Sequence, residues 1–169
     1  HIQSPLLCAV LVKNTPLVTL LLDFGADIEG EDSRHTPLFG AIQEGSESIV
    51  KIFLERNSAM KKDTDLLFRM LHAAAQKKRR GVALLAFGHL IEALQVDGPE
   101  GLIRLRIQQN DLASVRAVLW LHKSEVSQSF KNQMLADALA NNNEKGVSFW
   151  KRHGAAESGV MENESTVTE

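Results

Sequence analysis

The sequence predicts an all-α protein, a solenoid of about five helix-turn-helix units, and three observations lead there. Apolar positions recur at spacings of 32 or 33 residues along most of the chain. Within each unit the apolar residues fall at helical spacing on either side of a short polar or glycine-containing break. The composition is also helical in character: aromatic residues make up 5% with no Tyr, hydrophobic residues 44% and charged residues 24%, a mixture that favours helix over sheet.

The breaks set the register. Lys13, Gly45, Lys78, Asn110 and Asn142 stand 32, 33, 32 and 32 residues apart. Seven residues before them come Leu6, Leu38, Leu71, Ile103 and Leu135, apolar in every unit. Four before come Ala9, Ala41, Ala74, Arg106 and Ala138, and three before come Val10, Ile42, Ala75, Ile107 and Leu139. Five after come Val18, Val50, Ala83, Val115 and Val147. The positions before each break share one face of a first helix, and those five, eight and nine after it share one face of a second. Two short amphipathic helices cannot enclose their own apolar faces, so the units must stack and the core must run along the array. A small Ala four before the break lets the helices come close.

The first unit, about residues 1–31, has Pro5 at the start of its first helix, where the missing N–H costs nothing. Its Leu7, Leu11 and Val12 are apolar in addition to the core columns, which is expected if an upstream repeat or a neighbouring domain that covered that face has been lost. Cys8, in the same stretch, is expected to be a small buried hydrophobe, and as the single cysteine it forms no internal disulfide. The second unit, about 32–62, has Pro37 in the same place. The third, about 63–97, reads as helix from Asp65 to Lys78, capped by Asp63 or Thr64. Ahead of it, residues 55–65 fit a plain turn or a longer helix as well as a hairpin. The fourth and fifth units, about 98–126 and 127–156, break at Asn110-Asp111 and Asn142-Asn143, each a helix stop followed by a fresh cap. The final stretch, Glu144 to His153, mixes Lys145, Lys151 and Arg152 with Val147, Phe149 and Trp150, as expected of a terminal helix with a polar outer face. Residues 157–169 have no period and few apolar residues and are expected to be disordered.

Two of these units resemble ankyrin repeats. Thr36-Pro37-Leu38 with Ala41, Gly45, Ile49-Val50 and Leu54 follows the family's T-P-L-x-x-A, G and I-V-x-x-x-L pattern. Ser4-Pro5-Leu6, Ala9, Leu17-Val18, Leu21-Leu22 and Gly25-Ala26-Asp27-Ile28 follow it again. The later three keep the apolar columns but carry Arg69-Met70, Gly101-Leu102 and Gln133-Met134 where the family has Thr-Pro. The family's His after T-P-L, which ties the turn together, is replaced by Leu7, Phe39, Arg104 and Ala136, leaving only His72. The resemblance implies one ankyrin-type domain over residues 1–156, with at least one β-hairpin-like loop at residues 29–35. It also implies partner binding along a concave face, through hairpin tips and the exposed residues that end each first helix. The positions so implied are Gln43, Glu44, Gln76, Lys77, Gln108 and Gln109, with Glu31, Asp32 and Arg34 at the hairpin tip.

A formal net charge of -2 and a pI near 6.3 provide no field that would draw in nucleic acid or an anionic membrane. No apolar run approaches the roughly 20 residues that span a bilayer. Six His, one Cys and 21 acidic residues form no HExxH, CxxC, phosphate loop or Gly-x-Ser-x-Gly elbow, so neither catalysis, a metal nor a cofactor is expected. Lys77-Lys78-Arg79-Arg80 is the one dense charge run; it falls on a break and reads as a solvated turn, or more sharply as a contact for an acidic partner or a phosphate. The expectation is therefore an intracellular, monomeric scaffold that binds another protein or peptide. The alternative is the recognition part of a larger enzyme or of a secreted bacterial effector, with chemistry outside this chain.

Overall fold

The computed structural model describes residues 4–29 and 35–157. Glu31, Asp32 and Arg34, the body of the expected hairpin-like loop and the tail from residue 158 lie outside the described residues. Among the described residues there are ten α-helices, one short 3-10 turn and no strand. The chain divides into two compact units, His1–Gly98 and Pro99–Glu169. The first holds α1 (Pro5–Leu11), α2 (Thr15–Asp23), α3 (Pro37–Gln43), α4 (Glu47–Arg56), α5 (Thr64–Gln76) and α6 (Arg80–Leu94). The second holds α7 (Gly98–Gln108), which starts at the boundary, α8 (Leu112–Leu121), α9 (Gln128–Ala140) and α10 (Glu144–Arg152).

All five breaks have the same geometry. Lys13, Gly45, Lys78, Asn110 and Asn142 adopt left-handed backbone with φ of 56°, 67°, 56°, 56° and 53°. At each of them two backbone hydrogen bonds close the end of the first helix. Lys13 N–H donates to the Val10 carbonyl at 2.9 Å and Asn14 N–H to the Ala9 carbonyl at 3.0 Å, and the same pair recurs up to Asn142 to Leu139 and Asn143 to Ala138. This is the Schellman arrangement, which satisfies carbonyls that a helix end would otherwise leave open. A left-handed conformation costs a non-glycine residue roughly 1–2 kcal/mol. Two hydrogen bonds worth roughly 0.5–1.5 kcal/mol each offset that cost, so Lys is tolerated where Gly or Asn is more usual. The next residue caps the second helix: the side chains of Asn14, Asp111 and Asn143 each accept an N–H three residues on, at 3.1 Å.

First helices start on caps of the same kind. Ser4, Thr36, Asp63 and Ser127 accept from the N–H groups of Leu7, Phe39, Leu66 and Phe130 at 3.1 to 3.2 Å. The Asp63 cap begins α5 at Thr64, as the sequence predicts, and the helix stops at Gln76, two residues before Lys78. Before it, the segment that could have been a turn, a helix or a hairpin is the 3-10 turn Ser58–Lys61, pinned by the buried Met60.

In the first unit α1, α3 and α5 form one layer and α2, α4 and α6 the other. The apolar columns meet between them. Leu6, Leu38 and Leu71 are at most 1% exposed, as are Ala9, Ala41 and Ala74, and Val18, Val50 and Ala83. Two expectations for α1 need correction. Cys8 is exposed, not buried, because Leu6, Ala9 and Val10 take up the inner face and the 3.6-residue period turns residue 8 outward. Leu7 is buried by the neighbouring helix pair, since a Cβ on Gly40 of α3 would lie 2.8 Å from its Cδ1.

In the second unit α9 packs on α10, where Phe130 and Phe149 meet the Trp150 ring edge to face at 6.3 and 5.2 Å. Ser127 N–H and Oγ both donate to Glu100 Oε1 at 2.9 Å, fastening the start of α9 to α7. Ile103, Leu135 and Val115 are buried like their counterparts in the first unit. Two columns fail here: Leu139 is 43% exposed and Arg106 occupies the position that Ala holds elsewhere.

Candidate partner-binding surface

The Schellman breaks place the residue pairs that end each first helix at equivalent points of the repeat. Gln43 and Gln76 are the last residues of α3 and α5 and are exposed; Glu44 and Lys77 follow as caps, the first half-buried and the second exposed. In the second unit Gln108 ends α7 and Gln109 follows it, both exposed.

Around the second and third breaks the side chains interlock. Arg79 Nε donates to the Gln43 carbonyl at 2.9 Å. Gly45 lets that arginine lie close, because a Cβ there would stand 2.8 Å from Arg79 Cδ. A Cβ on Gly81 would likewise run into the Glu47 carboxylate. The basic run Lys77-Lys78-Arg79-Arg80 is exposed and sits on the break, and its Arg79 braces the preceding repeat. His72 is exposed, with Nε2 3.2 Å from Gln76 Nε2 on its own helix.

In the second unit the break carries a polar cluster. Arg106 Nε and Nη2 donate to Asp111 Oδ2 at 2.9 and 2.6 Å, and Arg106 Nη1 donates to Gln109 Oε1 at 2.7 Å. Burial works to raise the Asp111 pKa, but hydrogen bonds from Ser114 and Arg106 outweigh it and hold the carboxyl below its ordinary 3.8. The bulk of Arg106 lies where four other repeats have Ala, and the α7 and α8 backbones approach each other less closely than the helices of any other pair.

Beside this cluster lies a cleft of about 690 Å³, lined by α7, the first residue of α8, α9 and α10 together with the breaks between them. Ile107, Leu112, Met134 and Trp150 supply apolar surface, and Arg104, Asp137 and Lys145 supply charge. Of the candidate partner-binding residues named from the sequence, Gln108 lines it. The remaining signal was faint: Arg106 in an Ala column, and Gly146 where the four other repeats carry a side chain. Among the described residues no group of three or more His, Cys, Asp or Glu is placed to hold a metal. No described helix is long and apolar enough to cross a membrane.

With five matching breaks and the stacked pairs of the first unit in view, comparison with known families is direct. Residues 2–65 match the family model described as ankyrin repeats (3 copies). This segment resembles ankyrin repeats. It covers α1 to α4 and the start of α5. Ankyrin repeats are in general modules of protein-protein interaction. The helix pairs after the matched segment keep its break geometry while losing its Thr-Pro signature, so backbone form persists where the family's sequence marks fade. No curated protein matches the chain.

Proposed function

We propose that this chain is a protein-binding scaffold that presents the ends of its first helices to a partner protein or peptide, acting by binding rather than by catalysis. The observation that carries the reading is the repeated left-handed break. It fixes Gln43, Glu44, Gln76, Lys77, Gln108 and Gln109 at equivalent points of successive repeats, on short turns closed by backbone hydrogen bonds. A surface held this way needs little ordering on binding, which leaves more of the contact energy for affinity. The proposal also counts Glu31, Asp32 and Arg34, which the resemblance implicates, among the residues that contact the partner. The setting is intracellular and the scaffold acts as a monomer, without cofactor, nucleic acid or membrane insertion.

The test is affinity capture with crosslinking from the native cell, comparing the wild type with the variant Gln43→Ala/Glu44→Ala/Gln76→Ala/Lys77→Ala. These side chains are half-buried or exposed, so the fold should survive, as circular dichroism would show. Loss of the captured partner supports the reading. Unchanged capture by a folded variant overturns it.

A further inference from the structure

The cleft of the second unit has features that a bare scaffold does not require. Its volume, about 690 Å³, lies within the range of pockets that enclose a ligand. Its accessible apolar lining is Ile107 and Leu112, which are half-buried, while Met134 and Trp150 are buried and the Trp150 ring meets Phe130 and Phe149 edge to face. Gly146 lets α10 lie close to α9 and to the break, because a Cβ there would stand 3.2 Å from the Ala138 Cβ and 2.7 Å from Asn143 Nδ2. A larger residue at 146 would crowd this end of the cleft.

The charge is equally specific. Arg104 and Lys145 contribute two cations and Asp137 one anion, so the cleft is locally positive on a chain whose net charge is -2. Arg104 is held over the face of Phe130 at 4.9 Å from the ring centre. Such stacking leaves the edge of the guanidinium, with its N–H donors, available to a carboxylate. Lys145 is exposed in the first turn of α10. Asp137 Oδ1 accepts from Gln133 Nε2 at 3.1 Å, and its other oxygen suits a peptide N–H. An apolar floor with two cations at its edge matches a bulky apolar side chain with carboxylates beside it.

We propose that this cleft receives an extended acidic peptide segment that seats one bulky apolar side chain against Ile107 and Leu112 and directs neighbouring carboxylates to Arg104 and Lys145. The proposal rests on the protein-binding reading and names the partner's chemistry. It uses residues other than those removed in the quadruple variant.

The test is selection of a displayed library of random nine-residue peptides on the purified chain, followed by fluorescence anisotropy of the enriched sequences. Enriched peptides should pair a large apolar residue with adjacent Asp or Glu. Lys145→Glu should weaken them by about tenfold, Arg104→Gln should weaken them in the same direction, and replacing the apolar residue of the peptide by Ser should abolish binding. Lys145 is exposed and a Glu suits the first turn of a helix, so that variant should fold. The Gln43/Glu44/Gln76/Lys77 variant should bind these peptides as the wild type does, which separates failure of the cleft from failure of the scaffold surface. Enrichment of basic or purely polar peptides, affinities indifferent to Lys145→Glu, or no enrichment at all would overturn the proposal.

Discussion

Asp111 shows how one side chain joins a helix cap, an ion pair and a pH dependence. Its Oδ1 accepts from Ser114 N–H at 3.1 Å as the cap of α8, while its Oδ2 takes Ser114 Oγ and Arg106. Those donors favour the ionised form and, against the opposing effect of burial, leave the folded-state pKa below 3.8. The unfolded chain therefore binds the proton more readily. The stabilisation is complete above the unfolded value of about 3.9 and is lost as pH falls through the lower folded value. Asp111→Asn keeps a capping oxygen but removes the charge. Its stability deficit relative to wild type should be largest near neutral pH and shrink below about pH 4, as urea unfolding at several pH values would show. A deficit that is constant with pH would mean that Asp111 acts as a cap alone.

At the scale of the element, the unit of construction is a helix, a left-handed break and a second helix. The column seven before the break is what each pair contributes to the common core. Leu38 of α3 and Leu135 of α9 are each 1% exposed. Replacing either by Ala should cost roughly 2–5 kcal/mol, the range for a buried leucine whose surroundings relax only in part. Denaturant unfolding of the two variants checks this, and a loss under about 1 kcal/mol would show that the column does not carry the core. Much of this scale was legible in the chain. Five breaks named from the spacing are five left-handed residues, because the preference for such a turn is set by a few neighbouring side chains and backbone groups. Helix lengths were less legible: α6 runs 15 residues to Leu94 and ends on the left-handed Gln95, a stop that no Gly or Pro announces.

For the molecule as a whole, the first repeat carries an unusual outer surface. Leu17, Leu20 and Phe24 of α2 and its cap are 38%, 51% and 83% exposed, whereas Ile49 and Val82, the counterparts of Leu17 in the next two repeats, are 1% exposed. Leu11 and Val12 are exposed as well. The double variant Leu20→Ser/Phe24→Ser should lower the fluorescence of a bound apolar dye such as ANS. Its unfolding free energy should change by no more than about 0.5 kcal/mol, as for other surface substitutions. A loss above 1 kcal/mol would show that these side chains are packed within the fold. The partner surface is only partly readable from sequence. The resemblance points to the ends of the first helices, but the cleft draws on residues from two repeats, Arg104 and Ile107 with Met134, Lys145 and Trp150.

The amino-acid order alone determined the all-α class, the break positions, the prolines that start α1 and α3, and most of the columns that meet in the core. Each depends on interactions within about one helical turn, where residue type and spacing suffice. Tertiary structure decided that Cys8 faces solvent, that Leu7 is covered by Gly40 of the next pair, and that α7 stands off from α8 beside an open cleft. Those outcomes follow from how side chains some thirty residues apart share one volume, and the bulk of Arg106 or the absence of a side chain at Gly146 acquires its meaning only when the neighbouring repeat is in place.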